Sequence, residues 1–246
     1  MCRLLGYVAN EERTFADVVG EGFENFIELS KEHRDGWGIS ASSAEHGKTT
    51  LVRELTLAAE SEKFKESANG LKTEGALLHL RLASKGLAVD LTNNHPFVHG
   101  EFSFMHNGTI QSISELEKFV DPRFLAQFIS TTDSERYFYA VLTAVEELGL
   151  LEGVRKAVRT ISANFDFTSI NCMLLSSDHL VAVCEFNEGD STEWTVDSHY
   201  ELRYSAEEGV VKVASTGWGK DHWSRLPNHS ILMVDRRNLT FEVLPL

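Results

Sequence analysis

The chain has 246 residues, 42% of them hydrophobic, with 17 Gly and 4 Pro, which is enough apolar material for a substantial core and too ordered a composition for a disordered chain. A formal net charge of −14 without a basic cluster argues against nucleic acid as a partner, and no run approaches the roughly 18 apolar residues of a membrane helix. Cys2, Cys172 and Cys184 lack close CxxC spacing, which argues against a disulfide framework or a cysteine zinc site and fits a reducing, cytoplasmic setting.

The first element, CRLLGYVA at 2–9, reads as a strand. Its apolar run is too short for a signal peptide and is followed at once by Glu11 and Glu12. Phe15, Val18, Val19, Phe23, Phe26 and Ile27 recur at helical spacing behind a Thr14/Asp17 capping pair. WGISAS at 37–42 and residues 50–56 read as strands, and 58–69 as a polar helix or loop. Further strands follow at 75–82 and 101–106. Helices occupy about 112–162, the strongest over 134–148 with Tyr137, Phe138, Val141, Leu142 and Val145 on one face. From 167 onward six apolar strand patterns alternate with turn signals. No repeat or linker interrupts the chain, so 1–246 reads as a single layered α+β domain with antiparallel sheets.

Five short segments carry chemistry-bearing residues at strand ends or turns: Cys2; His33-Arg34-Asp35-Gly36-Trp37-Gly38; His79-Leu80-Arg81; Met105-His106-Asn107-Gly108; and Thr131-Thr132-Asp133-Ser134-Glu135. Each has a plain structural reading. A buried cysteine starts many strands, Asn-Gly marks a tight turn, and Thr132 with Glu135 forms a capping box around Asp133.

Taken together and in this order, the segments resemble the glutaminase domain of the class II glutamine amidotransferases, a branch of the N-terminal-nucleophile hydrolases. The start Met-Cys-x-Leu-Leu-Gly, the Asp35-Gly36-Trp37-Gly38 turn, and the runs Asn93-Asn94-His95-Pro96-Phe97 and His106-Asn107-Gly108-Thr109-Ile110 are similar to stand-alone members, including the γ-glutamyl hydrolase of ergothioneine synthesis. The resemblance implies a four-layer αββα sandwich of two antiparallel sheets. It also implies thiol-dependent hydrolysis of glutamine or another γ-glutamyl amide through a γ-glutamyl thioester, with no metal or organic cofactor.

Under that resemblance Cys2, freed by removal of Met1, is the nucleophile and its own α-amine the base. Asn107 and Gly108 form the oxyanion hole, Arg81 takes the substrate carboxylate and Asp133 its ammonium, and Gly36 and Trp37 shape the pocket wall. His106 is structural support. An ammonia-accepting synthase subunit is a further partner. Synthase-fused members carry Trp, Thr and His shortly after the substrate arginine, whereas Leu82-Ala83-Ser84-Lys85-Gly86 stands here. Two rival readings stay open: a metal-dependent hydrolase using His33, Asp35, His79, His95, His99 and His106, and a non-catalytic binding module on the same fold.

Overall fold

The computed structural model describes residues 2–43, 49–84, 86–188, 199–207, 209–220 and 222–246. Met1 and Lys85, on which the expected N-terminal processing and part of the Arg81 loop depend, lie outside the described residues. Two antiparallel sheets form the centre. The first is built from β1 (Arg3–Arg13), β2 (Trp37–Ser42), β3 (Thr49–Glu54), β4 (Thr73–Leu80), β9 (Leu202–Glu207), β10 (Val210–Ser215) and β11 (Ser224–Leu226), in the order β11-β9-β10-β1-β4-β2-β3. The second contains β5 (Phe97–His99), β6 (Phe102–Ile110), β7 (Phe167–Leu175), β8 (His179–Cys184), β12 (Ser230–Asp235) and β13 (Phe241–Pro245), in the order β13-β12-β8-β7-β6-β5.

Period-two side-chain alternation gives the central strands two buried faces, while the edge strands β3 and β13 are exposed or half-buried along their length. On β1, Leu5, Tyr7 and Ala9 pack with Phe15, Phe23 and Phe64 from α1 (Phe15–Val19), α2 (Phe23–Glu28) and α3 (Glu62–Gly70). The intervening Leu4 and Val8 join Leu77, Met105 and Met173 between the sheets. Beyond the second sheet, Phe104, Ile110, Ile170 and Leu174 pack against Tyr137, Phe138 and Val141 of α6 (Asp133–Leu148) and Val154 and Val158 of α7 (Leu150–Asn164). Two shorter helices, α4 (Ile113–Leu116) and α5 (Pro122–Leu125), lead into α6. This is the expected αββα layering.

Local chemistry accounts for most boundaries. Thr14 and Asp17 form the reciprocal capping box at α1, but the helical pattern of 15–27 is split into two short helices, with Gly20 and Gly22 at positive φ between them. At α6, Thr132 caps the Glu135 N–H at 3.2 Å. The Glu135 carboxylate, however, turns to the Ile129 and Ser130 N–H groups at 3.0 and 2.9 Å, so the expected box is only half formed. Asn107-Gly108 lies inside β6 and is not a turn.

Candidate active site

The inter-sheet face of β1, β4 and β6 leads directly to the predicted site residues. Leu4, Leu77 and Met105 fill that face. Continuing each strand by period two brings Cys2, Arg81 and Asn107 to the same end of the sandwich. The Cys2 backbone N–H donates to Asn107 Oδ1 at 2.9 Å, and the Cys2 thiol donates to the Leu82 carbonyl at 3.7 Å. Cys2 is partly exposed, whereas Asn107 is fully buried. Asn107 Nδ2 is buried without a hydrogen-bond partner. A buried amide N–H₂ left unpaired costs free energy unless something occupies it, so this donor is open to a ligand on the side chain that already holds the Cys2 nitrogen.

Gly108 follows at φ 148°, where β6 departs from regular pairing with β7. A Cβ there would overlap the Ser169 carbonyl. Only glycine fits, and its backbone reaches the Cys2 end of β6 without a side chain in the way. Gly36 is similarly constrained: at φ 127°, a Cβ would stand 2.6 Å from the Glu54 carbonyl. Its own carbonyl accepts the Arg81 N–H at 2.8 Å, which fixes the backbone that carries the guanidinium.

Arg81 is 3% exposed. Nη2 donates to the Ala88 carbonyl at 3.1 Å, and Nη1 is buried without a partner. Burial pulls the guanidinium below its ordinary pKa range, opposed by Cys2, Asp35 and Asp90 nearby. Asp133, also buried, accepts the Ile110 N–H at 2.6 Å and the Ser134 N–H at 2.8 Å. It therefore tethers the end of β6 to the first turn of α6.

Trp37 requires a correction. It shares the helix-facing side of β2 with Ile39 and Ala41, and its fully buried indole packs edge-on against Phe64 at 5.1 Å. Strand parity sends the ring away from the inter-sheet side, so Trp37 is a core residue and not a pocket wall. His106 behaves as structural support: Nδ1 meets Ser134 Oγ at 2.9 Å and Nε2 the Ser169 carbonyl at 3.1 Å. Burial holds its pKa below the ordinary value, against the pull of Asp133.

Of the residues of the metal reading, His79 and His95 lie with tilted rings 4.3 Å apart, and His99 packs edge-on against Phe124 and Tyr139. The Asp35 carboxylate accepts the Ala83 N–H at 2.8 Å. Among the described residues no group of three or more His, Cys, Asp or Glu side chains could hold a metal ion. Likewise, no helix among them is long and apolar enough to cross a membrane. The sequence reading missed Asp35 as the residue that locks the 81–83 turn, although its motif was in view. It also missed the Leu82 carbonyl, a backbone group that no residue type announces.

Known proteins are similar to this chain in sequence and in fold. A glutamine–fructose-6-phosphate aminotransferase of Aliivibrio fischeri is 30% identical over 166 residues, covering 67% of this chain but only 26% of that enzyme, so the chain spans about a quarter of its length. A probable glutamine amidotransferase of Saccharomyces cerevisiae, DUG3, is 23% identical, with 97% of this chain and 83% of that protein covered. The structure of a glutamine aminotransferase class-II domain protein from Silicibacter pomeroyi superimposes over the full length of both chains with a TM-score of 0.70 at 16% identity, a likeness of fold. The family model described as glutamine amidotransferases class-II matches residues 1–232, and the chain belongs to that family.

Proposed function

We propose that this chain hydrolyses the side-chain amide of glutamine, or of a larger γ-glutamyl amide, through a γ-glutamyl thioester on Cys2. The observation that carries the reading is the divided use of one side chain. Asn107 Oδ1 already holds the Cys2 nitrogen at 2.9 Å, while Nδ2 of the same amide is buried and unpaired.

With Met1 removed, the Cys2 nitrogen becomes an α-amine with an ordinary pKa near 7.7–8.0, suited to accept the thiol proton. The thiolate sulfur attacks the amide carbon. The developing oxyanion takes Asn107 Nδ2 and the Gly108 N–H as donors. Collapse expels ammonia or an amine, which leaves with the proton from the α-amine, and a thioester remains. Water then attacks that thioester, again with the α-amine as base, releasing the γ-carboxylate. The free Nη1 of Arg81 suits the substrate α-carboxylate, a contact in which planar guanidinium geometry matters. Asp133 supplies the anion for the α-ammonium, and the glycine backbone at Gly36 closes the wall. Ammonia released in this way is available to an acceptor synthase subunit. No metal or organic cofactor is needed for these steps.

A substrate series tests the reading. Glutamine should release glutamate, and esterifying its α-carboxylate or acetylating its α-amine should each lower kcat/KM by roughly 10- to 150-fold, the scale of one charge-assisted hydrogen bond. Equal turnover of parent, ester and acetyl derivative would make the protein a general amidase and remove Arg81 and Asp133 from recognition.

A further inference from the structure

The run Asn93-Asn94-His95-Pro96-Phe97 stands out in the sequence yet takes no part in the chemistry above. Its first residue lies between the two segments that carry Arg81 and Asp133. Asn93 is 2% exposed, and its amide is engaged on both sides. Nδ2 donates at 3.2 Å to the Ala88 carbonyl, the same oxygen that takes Arg81 Nη2 at 3.1 Å. Nδ2 also meets Thr131 Oγ1 at 3.2 Å, while Oδ1 accepts the Thr131 N–H at 2.9 Å. Thr131 precedes Thr132, the N-cap of α6, and Asp133 is the first residue of that helix. A continuous path therefore runs from the guanidinium through the Ala88 carbonyl, Asn93 and Thr131 to the Asp133 carboxylate.

We infer that Asn93 is a positioning residue that sets the separation between the Arg81 cation and the Asp133 anion, and thereby the selectivity for a free amino-acid head group. The inference rests on the proposed glutamine-amide chemistry. An α-carboxylate and an α-ammonium share one carbon, so a site gripping both must hold its own charges at a fixed spacing. A buried amide with donors and acceptor satisfied is stiff and does not drift. None of its bonds reaches Cys2, Asn107 or Gly108, so its loss should loosen recognition and leave bond breaking intact. In kinetic terms this raises KM with kcat unchanged.

Asn93→Ala and Asn93→Asp in the full chain test this, assayed with glutamine, its α-methyl ester and N-acetylglutamine. Asn93→Ala should raise KM for glutamine roughly tenfold with kcat within about twofold, the scale of one weakened charged contact, and should lose preference over both derivatives. Asn93→Asp keeps the acceptor for the Thr131 N–H and should fall between. Glutamine-dependent melting shifts in a Cys2→Ala background should follow the same order. If Asn93→Ala does not fold, Asn93→Asp decides alone. Unchanged KM and preference, or a loss of kcat matching only the folded fraction, overturns the inference. A wild-type chain that releases no ammonia from any of the three substrates overturns the reading of the site itself.

Discussion

Asn107 makes two contacts of different kinds through one side chain, and they can be separated by substitution. Asn107→Asp keeps an oxygen for the Cys2 nitrogen, which now bonds Oδ1 at 2.9 Å, but replaces the unpaired Nδ2 donor with a second acceptor. Removal of an oxyanion donor costs roughly 10²–10³ in turnover. The variant should therefore fold, melt near the wild-type temperature and lose kcat on that scale, as steady-state kinetics with a thermal melt will show. Normal turnover in folded Asn107→Asp would mean that the amide serves only to anchor β1. The other two cysteines provide the contrast to Cys2: burial pushes the thiols of Cys172 and Cys184 up to about 12, which leaves almost no thiolate at neutral pH. Cys2, Arg81, Asn107 and Gly108 were singled out in the sequence through the resemblance of their motifs, taken together, to one family, since each alone reads as an ordinary strand or turn residue. The Leu82 carbonyl was not, since backbone groups carry no sequence signature.

Strand parity decides which residues of an element can reach the site. The turn at 35–38 held both Gly36 and Trp37 as candidates, yet adjacent residues entering a strand point to opposite faces, and the indole went to the helix-side core against Phe64. Sequence order alone could not show this, because the face that β2 turns to the second sheet depends on its pairing with β4, Gly38 opposite His79. The consequence is measurable. Trp37→Ala should cost about 3–5 kcal/mol of stability, as large core truncations do, whereas Trp37→Phe should lose less and keep KM for glutamine. A Trp37→Phe variant with normal stability and a raised KM would return the ring to the pocket wall. The long periodic elements, α6 above all, were readable because their apolar faces are complete. The three-residue strands β5 and β11 were missed because segments that short have no period, and the helix over 15–27 was broken by backbone conformation at Gly20 and Gly22 that its apolar spacing hides.

For the whole molecule, the αββα layering gathers the candidate site residues at the ends of β1 and β4, in β6 and at the start of α6, and it buries titratable groups as it does so. His79 and His95 are buried, and burial holds both imidazoles well below their ordinary value of 6.5, with Arg81 adding to the effect at each. The unfolded chain takes up protons on these rings below about pH 6.5 while the folded chain does not. The stability they contribute is therefore full above that pH and lost as pH falls below it, by up to about 1.4 kcal/mol per unit for each ring. Denaturant melts between pH 7.5 and 5 should show this slope, and it should shrink in His95→Phe; a stability independent of pH across that window would place both rings in contact with water. The central claim concerns Cys2, and the most direct measurement is intact-mass and peptide mapping of the protein after reaction with a glutamine-like electrophile. A mature chain lacking Met1 and carrying a single adduct on Cys2, with activity lost in proportion, is the predicted result. A full-length chain labelled at Cys172 or Cys184, or a Cys2→Ala variant with full activity, would contradict it.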